Sequence, residues 1–373
     1  MIDIVELTRR LVAFDTVNPP GREAEAMACC ADLLREAGFD CRLTPFGAGR
    51  CNLLASKGLE PGRSALAFSG HLDTVPLGAQ PWRHDPHEAV VAEGCIHGRG
   101  TSDMKGGVAA FLLAALEAKL PPGGIVILLT AGEETGAEGA RAMAAAPLPK
   151  IGAMIVAEST LNRPVQGHKG ALWLRLTATG KTAHGAMPHH GVNAVMKMAH
   201  ALTRLEGLCL GPTHAVMGPP TLNLGTIAGG LNTNSVPDLC TATLDLRSVP
   251  GVTHDDLHAL VAGRLGPEIN IERIIDLPAV WTEPAHPWMA ALASHAARIA
   301  GVDTSPTVVS YFTDASIFTP VLGDVPTMIL GPGDPALAHQ TDEFVSIDRL
   351  IAARAIYATA ITQWDGQSAQ ISF

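Results

Sequence analysis

The chain has 373 residues, 47% of them hydrophobic, and carries 36 acidic against 26 basic residues for a net charge of −10. That apolar fraction excludes wholesale disorder, and the length suits one large domain or two. An acidic chain without a basic run is a poor binder of nucleic acid or anionic lipid. Its longest apolar stretches, such as Val108 to Leu116, fall far short of the ~20 residues a membrane span needs. Seven cysteines with no CxxC spacing argue for reduced thiols and against a disulfide framework or zinc ribbon. The opening MIDIVELTRRLVAF has acids and helical spacing, not a signal peptide's basic start, so a cytoplasmic location is expected.

Ile4, Leu7, Leu11 and Phe14 recur at helical spacing, and a second helix is predicted from about Glu23 to Ala37, with Gly38 in the stop position. Short apolar runs follow at Asn52 to Ala55, Ala65 to Phe68, Ile125 to Leu129 and Ala153 to Val156. Helical stretches lie between them, at Gly107 to Lys119 and Ala137 to Ala145. Fully apolar strands alternating with helices read as an α/β domain with a mostly parallel sheet and helices on both faces. The middle differs. Alternating Leu172, Leu174 and Leu176, a helix from about Asn193, strands near Thr221 to Ile227 and Thr241 to Arg247, a helix near Thr253 and a strand at Ile269 to Ile275 give β-α-β-β-α-β. That order defines a ferredoxin-like α+β unit. Helix at Ala290 to Ala300, a buried strand at Pro326 to Leu330 and a closing helix at Ile347 to Thr362 then resume the first pattern. The expected organisation is one domain in two parts, 1–169 and 281–373, interrupted by an insertion over 170–280.

The acids and imidazoles with chemical interest follow predicted strands. Phe68 leads into His71, Leu129 into Glu133 and Glu134, and Val156 into Glu158. In an open α/β sheet the crevice outside the strands' carboxyl ends is where ligands bind. His71 and Asp73 sit two apart in SGHLDTVP and project to the same side of an extended chain. Asp73 could orient the imidazole or bind a cation directly. Asp103, bracketed by glycines in GRGTSDMKGG, could bridge two cations or simply cap the following helix, with Lys105 as a structural ion-pair partner. Of the adjacent acids in TAGEETG, one can bind metal while the other serves as a base. There is no GxSxG elbow, and the third glycine of a dinucleotide fingerprint falls on Asp103.

SGHLDTVP, GRGTSDMKGG, TAGEETG, AEST and AHQTDEFV, in this order, resemble the di-zinc aminoacylase and carboxypeptidase family. The nearest branch is that of acetylornithine deacetylase and succinyl-diaminopimelate desuccinylase. The resemblance implies that His71 and Glu158 hold one zinc, Glu134 and His339 the other, and Asp103 both, while Asp73 orients His71. Cobalt or manganese could replace zinc. It implies Glu133 as the general base that activates a water molecule against an amide carbonyl. The insertion resembles the family's lid and dimerisation domain, with His184 reaching a neighbouring subunit's site, and Asn234 and Arg247 matching substrate positions; outside it, Gly331 follows a buried strand and is expected to shape the substrate floor. Thr313-Asp314 is a weaker candidate there. For Arg247 an ion pair with Asp245 is the competing assignment. One departure is Ala157-Glu158-Ser159-Thr160, where close relatives carry Gly-Glu-Pro-Thr. The expected protein is a homodimeric amidohydrolase that removes an acetyl- or succinyl-type group from an amino acid. A carboxypeptidase or dipeptidase is the alternative in class, and a non-catalytic binding protein the alternative outside it.

Overall fold

The computed structural model describes residues 2–367. They form two compact units: one of the residues up to 167, 281–308 and those from 313 onward, the other of residues 168–280 with 309–312.

The first unit is built on a six-stranded sheet in the order Asp40–Gly47, Arg50–Lys57, Ile125–Thr130, Ala65–His71, Ile151–Val156, Thr327–Ile329. The last four strands run parallel to one another, and the first two are antiparallel. The sheet is thus mostly parallel, as the apolar runs predict. Every residue of Ala65–His71, Ile125–Thr130 and Ile151–Val156 is buried, so both faces are covered. Phe68 stacks on Phe111 at 5.6 Å and meets Tyr357 edge-on, and the Tyr357 hydroxyl donates to the Leu330 carbonyl. This ties the helices Gly106–Glu117 and Ile347–Gln363 to the sheet's centre.

Local signals set the helix ends. The Asp3 carboxylate accepts the Glu6 N–H and starts the helix Ile4–Val12. Gly38, at φ 82°, stops the chain after Ala24–Glu36 in a conformation that costs a side-chain-bearing residue more. The helix Ala315–Val321 and the pairing of Gly167–His168 with Val280–Trp281 have no counterpart in the sequence pattern, and two further features bear on the sheets. One is the edge strand Asp40–Gly47, whose burial is irregular and which contains Pro45. The other is a small sheet of Val90–Ala92, Cys95–His97 and Phe344–Ser346, each strand three residues long.

The second unit is an antiparallel four-stranded sheet in the order Thr221–Gly229, Leu239–Arg247, Ala171–Thr179, Ile269–Leu277, with the helices Ala194–Thr203 and His254–Leu265. Leu172, Leu174, Leu176 and Ala178 face those helices in one apolar core, and the intervening residues point away. This is the β-α-β-β-α-β arrangement. The first helix ends at Thr203, and Leu205 and Leu210 beyond it still pack into that core.

Candidate metal centre

Parallel strands end on one edge of a sheet, and here that edge collects the acids. Ala65–His71 delivers His71 and Asp73, Ile125–Thr130 delivers Glu133 and Glu134, and Ile151–Val156 delivers Glu158. The tight turn Thr101–Lys105 adds Asp103 from the chain just before the helix Gly106–Glu117. The loop ahead of Phe344–Ser346 adds His339, held at φ 64° in the left-handed region.

Asp103 lies between the two imidazoles. Its Oδ1 is 3.3 Å from His71 Nε2, and its Oδ2 is 3.4 Å from His339 Nε2. Glu158 Oε1 is 3.4 Å from His71 Nε2, and Glu134 Oε2 is 3.1 Å from His339 Nε2. Donor atoms around a tetrahedral ion at about 2.0–2.1 Å lie about 3.3 Å from one another. The spacing therefore fits two ion positions that share Asp103. The ligand atoms of His71, Asp103 and Glu134 also fall within 4.8 Å of one another. Glu133 Oε2 stands 4.0 Å from His71 Nε2.

Asp73 accepts the backbone N–H of Glu133 on Oδ1 and that of Glu134 on Oδ2, both at 3.2 Å, and the Asn18 amide donates to it at 3.0 Å. The hydrogen bond that orients His71 comes from its Nδ1 and goes to the Asp73 main-chain carbonyl at 3.0 Å, while the Asp73 carboxylate stands off at 3.5 Å. A proton on Nδ1 leaves Nε2 as the lone-pair donor facing Asp103 and Glu158.

The electrostatics indicate a pocket short of positive charge. Burial and the neighbouring Asp103 push Glu158 up to about 8. Burial also holds Glu133 well above the carboxylate range, with Glu158, Glu134 and Asp314 adding to it. Burial alone would lower His71, but the facing carboxylates of Asp103, Asp73 and Glu158 raise it well above the ordinary imidazole value. Hydrogen bonds to Asp103 and Glu134 raise His339 to about 10. Glu133 Oε1 and Glu134 Oε1 are buried without a hydrogen-bond partner among the described residues. Buried carboxylates left unpaired in this way are costly unless a cation joins them. The imidazole and carboxylate donors suit zinc, cobalt or manganese, so the residues fit the metal group.

Gly331 belongs to the same unit. A Cβ there would stand 2.2 Å from the Ala157 carbonyl oxygen and 2.4 Å from that of Glu158, so only glycine lets the two segments approach. Ser159, one of the departures from the resembled pattern, donates its hydroxyl to the Ser102 carbonyl at 2.9 Å. It thereby links the Glu158 and Asp103 segments. Lys105 differs from expectation: its buried ammonium donates to the Phe14 carbonyl at 2.8 Å, and it forms no direct ion pair among the described residues.

His184, Asn234 and Arg247 lie in the second unit. His184 and Asn234 adjoin there: the Gly185 N–H donates to the Asn234 carbonyl at 2.7 Å, and both side chains are exposed. Arg247 forms a two-point pair with Asp245, from Nε at 2.9 Å and Nη2 at 3.0 Å. Sequence reasoning gave no role to Asn18, Arg99 or Glu343, and only a weak one to Asp314. Thr130 Oγ1 donates to Asp314 Oδ2, and Asp314 Oδ1 is buried without a partner among the described residues.

A cluster of carboxylates with the buried His71 and the exposed His339 at ligand spacing, gathered at the carboxyl ends of parallel strands, defines a metallohydrolase. The chain belongs to peptidase family M20/M25/M40, whose model matches residues 67–363. It is 34% identical over 335 residues to an acetylornithine deacetylase of Vibrio vulnificus (strain CMCP6), covering 85% of each chain. Its fold matches an M20-family metallo-carboxypeptidase of Sulfolobus solfataricus at a TM-score of 0.80 and 18% identity, over 97% of this chain and 99% of that one. It also matches a dinuclear metal-binding peptidase of the family from Bacillus subtilis at 0.70 and 14%, over 97% and 98%.

Proposed function

We propose that this chain is a di-zinc amidohydrolase that removes an acetyl- or succinyl-type N-acyl group from an amino acid that keeps its free carboxylate. The observation that carries this is Asp103, with one oxygen beside His71 and the other beside His339, next to the buried Glu133. The similarity to acetylornithine deacetylase supports the substrate class.

His71 and Glu158 would hold one ion, Glu134 and His339 the other, and Asp103 both. When bound, the ions supply Lewis acidity to the amide carbonyl and to a water molecule. Glu133 takes the proton from the attacking water. Glu133 holds that proton until the C–N bond breaks and then delivers it to the departing amine. Asp73 fixes the backbone on which Glu133 stands. Arg247, pre-oriented by Asp245, offers its remaining N–H donors to the substrate carboxylate, and Asn234 adds a polar contact. His184 serves the oxyanion of a partner subunit.

The second unit supplies the dimer contact in this reading. Its edge strand Thr221–Gly229 is exposed along most of its length, with Leu224 and Ile227 in the open and Met196 exposed on the adjacent helix. The seven cysteines are unpaired, which suits a reducing cytoplasm. No described helix is long and apolar enough to cross a membrane. The metal chemistry would equally serve a carboxypeptidase or dipeptidase.

A panel of N-acetyl, N-succinyl and N-formyl amino acids beside simple dipeptides decides between these readings. Turnover of the acylated amino acids, abolished by Glu133→Ala, is expected. Turnover confined to dipeptides would replace the deacylase assignment with the peptidase one.

A further inference from the structure

Glu343 is fully buried, and each of its carboxylate oxygens has two partners. Oε2 accepts from Arg99 Nη1 at 2.8 Å and from the Gly100 N–H at 2.9 Å. Oε1 accepts from the Ser102 N–H at 2.8 Å and from the Asp103 N–H at 3.0 Å. Three amides of the Asp103 turn thus close around one carboxylate, like a backbone nest around an anion. Gly100, at φ 84°, gives the turn that aims them.

Arg99 extends the arrangement. Its Nη1 also reaches the Gln340 carbonyl, and its Nη2 reaches the Pro76 carbonyl, both at 3.1 Å. Its guanidinium lies 5.0 Å over the Trp82 ring. One buried pair therefore touches three segments: the one following His71 and Asp73, the one carrying Asp103, and the one carrying His339. Glu343 itself follows His339 by four residues, at the start of the small sheet in which Phe344–Ser346 pairs with Cys95–His97. Its carbonyl accepts the Gly98 N–H at 2.9 Å, which closes the circuit.

The ligand set needs such a device. Asp103, Glu134 and Glu158 repel one another when no cation is bound, and His339 sits in a backbone conformation that a side-chain-bearing residue seldom adopts. Fixing the Asp103 N–H fixes the peptide plane from which its carboxylate projects. Holding the Gln340 carbonyl fixes the residue next to His339.

We propose that the buried Arg99–Glu343 pair is a positioning device for the metal centre, setting Asp103 between His71 and His339 before any ion arrives. This rests on the reading of the centre as a zinc site. It does not depend on the identity of the substrate.

The test is zinc affinity of the metal-free protein, measured by competition with a chromogenic chelator. Glu343→Gln keeps one oxygen for the Ser102 and Asp103 amides but turns an NH2 group towards Arg99 and the Gly100 N–H. Arg99→Lys keeps the charge but loses the two carbonyl contacts, and stands in if the first variant does not fold. Leu7→Ala, a core truncation in the helix Ile4–Val12, gives a destabilised reference that removes none of the hydrogen bonds of Arg99 and Glu343. A 10–100-fold loss of zinc affinity in Glu343→Gln or Arg99→Lys, with Leu7→Ala at the wild-type affinity, is the expected result. Wild-type affinity in the folded pair variants, or an equal loss in Leu7→Ala, overturns the positioning role. A wild-type protein that binds no zinc overturns the reading of the centre itself, and the role with it.

Discussion

Asp73 holds Glu133 through the main chain, 3.2 Å from the Glu133 amide, and makes no contact with that residue's carboxylate at hydrogen-bond distance. Glu134 is held by the other oxygen of the same group. A single carboxylate thereby sets where the base and one metal ligand stand relative to each other. Asp73→Asn keeps the shape but replaces one of those acceptors with a donor. Steady-state kinetics should show kcat lowered about 10–100-fold with KM little changed. An unchanged kcat would mean that Asp73 does not set the base.

Gly331 is the contact through which the Thr327–Ile329 strand end supports Glu158. A methyl group there collides with the Ala157 and Glu158 carbonyls. Gly331→Ala should cost about 1–3 kcal/mol in urea denaturation. On the proposed di-zinc reading it should also lower bound zinc from two ions per chain towards one, because that reading gives Glu158 to only one of the two positions. Metal analysis that still finds two would show the segment yielding without moving its acid.

His168 lies at the start of the second unit, and its stability contribution depends on pH. Burial pushes its pKa from the ordinary 6.5 down to about 4. The folded state therefore disfavours the proton that the unfolded chain accepts. Above pH 6.5 both states are neutral, and nothing is lost. As pH falls from 6.5 to 4 the unfolded chain alone takes up the proton, and stability drops by roughly 3 kcal/mol. Urea midpoints recorded across that window should slope downward in the wild type and less so in His168→Gln. Parallel slopes would assign the acid sensitivity to other groups.

The role proposed for His184 in a partner subunit's site predicts complementation. Subunits carrying Glu133→Ala and subunits carrying His184→Ala, each inactive alone, should recover part of the wild-type rate after mixing. Absence of recovery, with subunit exchange verified by mass, would confine His184 to its own chain.

The sequence made the sheet and the motif acids legible for one physical reason. Strands buried on both faces are apolar throughout, so a charged residue marks where each ends, and the ends of parallel strands converge. The antiparallel strand Asp40–Gly47 has no such contrast, since its alternation is broken around Pro45. Strands of three residues, such as Cys95–His97, are too short for any period to register. Glu343 and Asn18 act on backbone amides or on another side chain's oxygen, and contacts of that kind leave no spacing in the sequence. Glu343 stood inside a recognised segment, AHQTDEFV, yet only its partners 240 and more residues earlier reveal what it does. The main-chain contact of His71 Nδ1 was hidden likewise, because the His-x-Asp spacing suggests a carboxylate partner first.

The most direct measurement is anomalous diffraction at the zinc edge from crystals grown with the metal. Two peaks are predicted, one bounded by His71, Glu158 and Asp103, the other by His339, Glu134 and Asp103. Zinc found elsewhere, or a pocket that stays free of zinc at saturating concentration, would contradict the account.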